Sequence, residues 1–133
     1  FGVWQGREAE SIGWAVASTW LEEQGATYGF LLRYPKEKAD ITGVEGVPWH
    51  FRYVGMPHAM LMREMDYCLE EYIEWLREYP WDQRHLQCTV GEEEYEIYFV
   101  PAEDGITVVP VPDGVRYTLS GNNVDGFIVT VQL

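Results

Sequence analysis

A chain of 133 residues is enough for one modest domain, or for a domain with a small appendage. With 47% hydrophobic and 15% aromatic residues it has material for a core, which excludes wholesale disorder. Its formal net charge of −13 repels nucleic acid and anionic lipid, so neither is an expected partner.

No run approaches the ~18 apolar residues of a membrane-spanning helix, and no secretory signal is visible. The first residue is Phe1 rather than Met, as in a mature form or a piece of something longer. The acidic runs "LEEQ", "LEEYIEWLREY" and "GEEEYE" read as solvated faces.

Taken in order, residues Glu8 to Gln24 have the spacing of an amphipathic helix, with Ile12, Val16, Thr19 and Trp20 on one stripe. Gly25 is placed as its C-terminal cap. "YGFLLRYP" is a short strand-like run closed by Pro35, and "KEKADITGVEGVP" reads as a loop. "WHFRYVG" alternates as a strand does, with His50, Arg52 and Val54 on one side and Trp49, Phe51 and Tyr53 on the other. Pro57 can open a helix. From there Leu61, Met65, Cys68, Leu69, Tyr72 and Leu76 recur as a core stripe up to Pro80, on one helix or two.

Beyond Pro80 the texture changes. "HLQCTV", "YEIYFV", "ITVVPV", "RYTLS" and "GFIVTVQL" are β-prone, separated by the turn sequences "GEE", "EDG", "PDG" and "GNNVDG". The expected organisation is a mixed α+β unit over residues 1–80 and a small antiparallel β subdomain over 81–133.

Candidate chemistry concentrates near His50. A histidine on a strand among aromatics is a metal ligand, a catalytic base or a packed residue, and His58 and His85 form no HxH, HxxxH or HExxH pattern with it. Arg33 and Arg52, also in aromatic surroundings, call for acidic partners or for a carboxylate ligand. No GxSxG or glycine-rich phosphate loop is present. Cys68 and Cys88 match no metal spacing; two thiols are expected, with a disulfide as the alternative.

The stretch "WLEEQGATYGFLLRYPKEKADITGVEGVPWHFRYVG", followed by "LEEYIEWL", resembles the second half of the VanY-type D-alanyl-D-alanine carboxypeptidases, of the LAS group of zinc metallopeptidases. The resemblance runs from about Thr19 to Leu76. It implies an α+β fold: an antiparallel sheet with flanking helices, here followed by the small all-β C-terminal subdomain. It also implies hydrolysis of a peptidoglycan stem peptide ending in D-Ala-D-Ala, in a bacterial cell-envelope or extracellular setting.

In that family a zinc ion is held by a His and an Asp from an upstream HxxGxAxD-like segment and by the His of the "WH" motif, which His50 matches. The family's general base is a Glu three residues before that His, and here the position is Val47. The upstream segment is not in this sequence, so zinc is implied by the family but not expected on this chain alone. Glu45 lies near the base position but two residues away. Trp49, as an apolar wall, and Arg52, as a carboxylate partner, are the substrate-binding candidates. The expectation is a D,D-carboxypeptidase-like domain, catalytically impaired or a fragment. The alternatives are a non-catalytic module binding cell-wall peptide or protein, and a half-domain that only completes a longer chain's fold.

Overall fold

The computed structural model describes residues 3–5 and 12–133, without the side chains of residues 3–5, 12–15, 18, 48 and 49. It divides into two units, Phe1–Tyr72 and Ile73–Leu133. The division falls inside a helix rather than at Pro80, where the composition changes.

The first unit holds β1 (Val3–Gln5), α1 (Ile12–Gln24), β2 (Phe30–Tyr34), the one-turn α2 (Ala39–Thr42), β3 (Val47–Tyr53) and α3 (His58–Met65). A further helix, α4 (Leu69–Leu76), runs across the division. The strands form an antiparallel sheet in the order β1-β3-β2. Ala26, Phe51, Val54, Ala59, Leu61, Met62, Cys68, Leu69 and Tyr72 are buried in this unit.

Several expectations shift. The helix expected from Glu8 is observed from Ile12, its first four residues lying outside the described ones. Two residues of its expected stripe, Val16 and Trp20, are 64% and 47% exposed, while Leu21 lines a cleft with Phe51 and Met62. Periodicity identifies a face; it does not identify what covers it. Gly25 is not the cap. The chain tightens into a 3-10 turn over Gly25–Tyr28, and Gly29 supplies the left-handed residue at φ +88°. The "KEKADIT" segment is a 3-10 turn followed by α2, closed by left-handed Gly43, rather than plain loop. The stripe from Pro57 onward is carried by two helices, broken at Asp66 with φ +54°. Met65, at that break, is 42% exposed.

The second unit is an antiparallel sheet in the order β4-β5-β7-β6, built from β4 (Leu86–Val90), β5 (Glu93–Pro101), β6 (Arg116–Gly121) and β7 (Gly126–Gln132). Ile97, Tyr98, Phe99, Val100, Ile128, Val129 and Val131 are buried. "ITVVPV" is not a strand. Pro110 and Pro112 have no N–H to give a ladder, and the segment instead lies over one face of the sheet. There Val109 packs on Tyr98, Val100, Val129 and Val131, and the Tyr98 hydroxyl donates to the Pro110 carbonyl. The "GNNVDG" turn is stabilised by buried Asn122, whose Oδ1 accepts from the N–H groups of Val124, Asp125 and Gly126 at 2.9–3.1 Å. Both sheets with their helices make the fold α+β, as expected. Cys68 is a buried free thiol.

Candidate functional site

β3 is the central strand of the first sheet, and its neighbours decide what surrounds His50. On one side Gln5 of β1 lies opposite His50 and Val3 opposite Arg52. On the other side β2 pairs Leu32 with Phe51 and then Tyr34 with Val47, so β3 uses four residues where β2 uses two. In a regular strand, residues three apart point to opposite faces. The register shift breaks that rule between Val47 and Phe51. As a result Tyr34 stands opposite Val47 while its ring meets the imidazole of His50, centroids 5.1 Å apart and nearly edge-on. Tyr34 thus pairs with Val47 by register and with His50 by ring contact.

The same region gathers two guanidinium groups. His50 is half-buried, and burial pushes its pKa below the ordinary value, helped by the positive charges of Arg33 and Arg52. It is therefore a neutral imidazole at neutral pH, the form that can give a lone pair to a cation or accept a proton. Arg33 is held on Glu70 of α4 by a two-pronged ion pair, both N–O distances 2.8 Å, and lies 4.6 Å from the Tyr34 ring centre. Burial opposes the charge on each partner. The paired hydrogen bonds outweigh it, raising the arginine and lowering the glutamate. Arg52 is lowered by burial first and by the charge of Arg33 second. Lys38 and Glu71 add a second tie, at 2.9 Å, between the segment after β2 and α4.

This arrangement suits an anionic group better than a metal ion. Among the described residues no group of three or more His, Cys, Asp or Glu converges, and the charges acting on His50 are both positive. Val47 has no proton-accepting atom, and exposed Glu45 precedes the strand.

Of the residues singled out from sequence, His50, Arg52 and Val47 come together on β3; the Trp49 side chain lies outside the described ones. Tyr34 was not anticipated. It sits in the "LLRYP" run, but only the strand register discloses that it lies opposite Val47. Glu70 was equally hidden, 37 residues from the arginine it holds.

A cavity of about 770 Å³ opens beside this site, lined among others by Leu32, Tyr34, Ala39 and Val47.

Comparison with known proteins gives a consistent result. Residues 6–56 match the family model for VanY, D-alanyl-D-alanine carboxypeptidase. A D-alanyl-D-alanine carboxypeptidase of Enterococcus faecium is 46% identical over 112 residues, 84% of this chain and 35% of that protein. The bifunctional D-Ala-D-Ala dipeptidase and D-Ala-D-Ala carboxypeptidase VanXYC of Enterococcus gallinarum is 45% identical over 62 residues, 47% of this chain and 33% of that one. Among solved structures, the vancomycin-resistance D,D-dipeptidase VanXYg, in complex with a D-Ala-D-Ala phosphinate analogue, matches with a TM-score of 0.78. It is 42% identical, over 84% of this chain and 44% of that chain. The chain spans about a third of the length of these curated relatives. A match of 112 residues cannot fit within the first 80, so the likeness extends into the β-rich region, which the sequence alone did not assign.

Proposed function

From a chain whose residues 6–56 are VanY-type sequence, covering part of a D-alanyl-D-alanine carboxypeptidase catalytic domain, we propose a D-Ala-D-Ala-peptide site that recognises its ligand but hydrolyses it feebly or not at all. The observation that carries this is Val47. By the resemblance it stands at the family's general-base position, opposite Tyr34, whose ring also meets His50. Valine cannot take a proton from water, and loss of a positioned base lowers a rate on the order of 10²–10⁴-fold.

Recognition rests on different groups. Arg52 and neutral His50 offer a positive, half-buried patch suited to a terminal carboxylate. Arg33 is committed to Glu70 and positions the patch rather than serving it. A zinc ion, where a second His and an Asp were also available, would polarise the scissile carbonyl. The described residues hold one such ligand, so the reading routes no step through a metal. The setting in keeping with such a ligand is the bacterial cell envelope, where peptidoglycan peptides lie.

The chain itself is the test. Equimolar zinc is expected to leave its melting temperature unchanged, and a peptide ending in D-Ala-D-Ala to release no D-alanine. The dipeptide D-Ala-D-Ala should perturb the His50 and Arg52 resonances saturably. Zinc-dependent stabilisation, or D-alanine release abolished by His50→Ala, would show a working enzyme instead. A flat dipeptide titration would remove recognition and leave only a half-domain that completes a longer fold.

A further inference from the structure

The two outer strands of the second sheet differ in charge. Among the described residues these are β4 and β6. β4 is flanked by carboxylates, since its partner β5 sets Glu93, Glu94 and Glu96 opposite Val90, Thr89 and Gln87. β6 is not. Its partner β7 has no charged residue, and residues 114–133 contain one acid, Asp125, which accepts from Arg77 at 2.9 Å. In a chain of net charge −13, this is the edge where two copies meet the least repulsion. It is also unguarded. Exposed edge strands are commonly blunted by a bulge, a proline or several charges. β6 instead pairs with β7 in unbroken register from Arg116–Gln132 to Gly121–Phe127, without proline and with its single charge at the first position. Val115, Tyr117 and Leu119 are exposed along it, as are Ile106, Val108 and Val111 in the segment before it.

The ladder fixes which groups of β6 face outward. Asn122 donates its N–H to the Gly126 carbonyl at 2.9 Å, and the same register continues through Ser120–Ile128, Thr118–Thr130 and Arg116–Gln132. Hydrogen-bonded and non-hydrogen-bonded pairs alternate along an antiparallel ladder. The N–H and C=O groups of Tyr117, Leu119 and Gly121 therefore point away from β7. We propose that β6 pairs antiparallel with β6 of a second copy of this chain, about a two-fold axis at Thr118, joining two four-stranded sheets into one. In that register Tyr117 stands opposite Leu119 of the second copy, and the two exchange main-chain hydrogen bonds on both sides of the axis. An aromatic residue against an aliphatic one is a favourable cross-strand pair. Arg116 meets Ser120 of the second copy rather than another arginine. The strand is thus complementary to itself, as a two-fold interface requires. The inference uses the second unit alone and does not depend on the peptide-binding reading.

Sedimentation equilibrium of the whole chain is expected to show a monomer–dimer equilibrium. It should tighten as NaCl rises from about 20 to about 200 mM, because salt screens the repulsion between copies. Leu119→Pro removes an N–H that faces the second copy and none that faces β7. It should weaken association at least about tenfold while the far-ultraviolet circular dichroism is retained. The register is tested by mild oxidation in a Cys88→Ser background. Thr118→Cys places two thiols across the axis, on Cα atoms about 4.5 Å apart. It should form a disulfide-linked dimer at least about tenfold faster than Ser120→Cys, whose thiols are offset along the strand. A chain that stays monomeric up to about 0.5 mM, its edge free or taken by a different polypeptide, would overturn the pairing. So would a dimer indifferent to Leu119→Pro, or equal cross-linking of the two cysteine variants. Where Leu119→Pro fails to fold, the cysteine comparison decides.

Discussion

His58 illustrates how far a residue's surroundings override its type. It opens α3, is 5% exposed, and its Nδ1 lies 2.6 Å from the Tyr72 hydroxyl, the two rings edge-on at 5.6 Å. Burial pushes its pKa down to about 4. In the unfolded chain the ring titrates near 6.5. Between those values the unfolded state binds more protons than the folded one, so stability is complete above pH 6.5 and declines as the pH falls. The expected loss is about 2 kcal/mol by about pH 5 and about 3 kcal/mol below about pH 4. Urea unfolding at a series of pH values checks this. His58→Gln should remove that component of the slope, and an unchanged slope would place the acid sensitivity elsewhere. From sequence His58 was a histidine at a helix start, and it does open α3, but its burial is a property of packing. His50 was singled out from sequence; its two cationic neighbours were partly legible, since Arg52 is two residues away while Arg33 arrives from another strand.

Among the elements, the turn between α1 and β2 sets how β3 leaves the site. Gly29 donates its N–H to the Ala26 carbonyl at 3.1 Å, and its own carbonyl accepts from the Val54 and Gly55 N–H groups at 2.8 and 3.1 Å. Its φ of +88° belongs to glycine, and an added Cβ would stand 2.8 Å from Tyr53 Cε1 and 2.9 Å from Gly55 Cα. Gly29→Ala is therefore expected to destabilise the chain by about 1–3 kcal/mol, measured as a shift in urea midpoint. An effect within about 0.5 kcal/mol would mean that the turn relaxes without strain. Which segments form elements was largely readable, because β2, β3, β4, β5 and β7 follow alternation or β-prone runs. The failures have local causes. "ITVVPV" has strand-like residues but contains Pro110 and is followed by Pro112, and Gly25 was credited with a cap that a further turn of chain passes on to Gly29.

At the scale of the molecule, 22 acidic residues against 9 basic ones leave a net charge of −13. Ion pairs such as Arg33–Glu70 and Arg77–Asp125 engage only part of that excess. Self-repulsion of this kind opposes the folded state and is screened over a Debye length. Raising NaCl from about 20 to about 200 mM should therefore raise the melting temperature by a few degrees. A fall on adding salt would show that the paired charges outweigh the unpaired ones. The same net charge should keep the chain from binding DNA at moderate salt.

The amino-acid order alone determined the fold class, the resemblance to VanY-type sequence, and the two features on which the proposed function turns: a histidine in "WH" and a valine three residues before it. Those are local properties, carried by periodicity, turn chemistry and motif spacing. Tertiary structure decided what that valine faces. A shift in strand register set Tyr34 opposite it, with two guanidinium groups acting on the imidazole and a cavity lined by Tyr34 and Val47, because register and burial arise from pairing residues far apart in the chain.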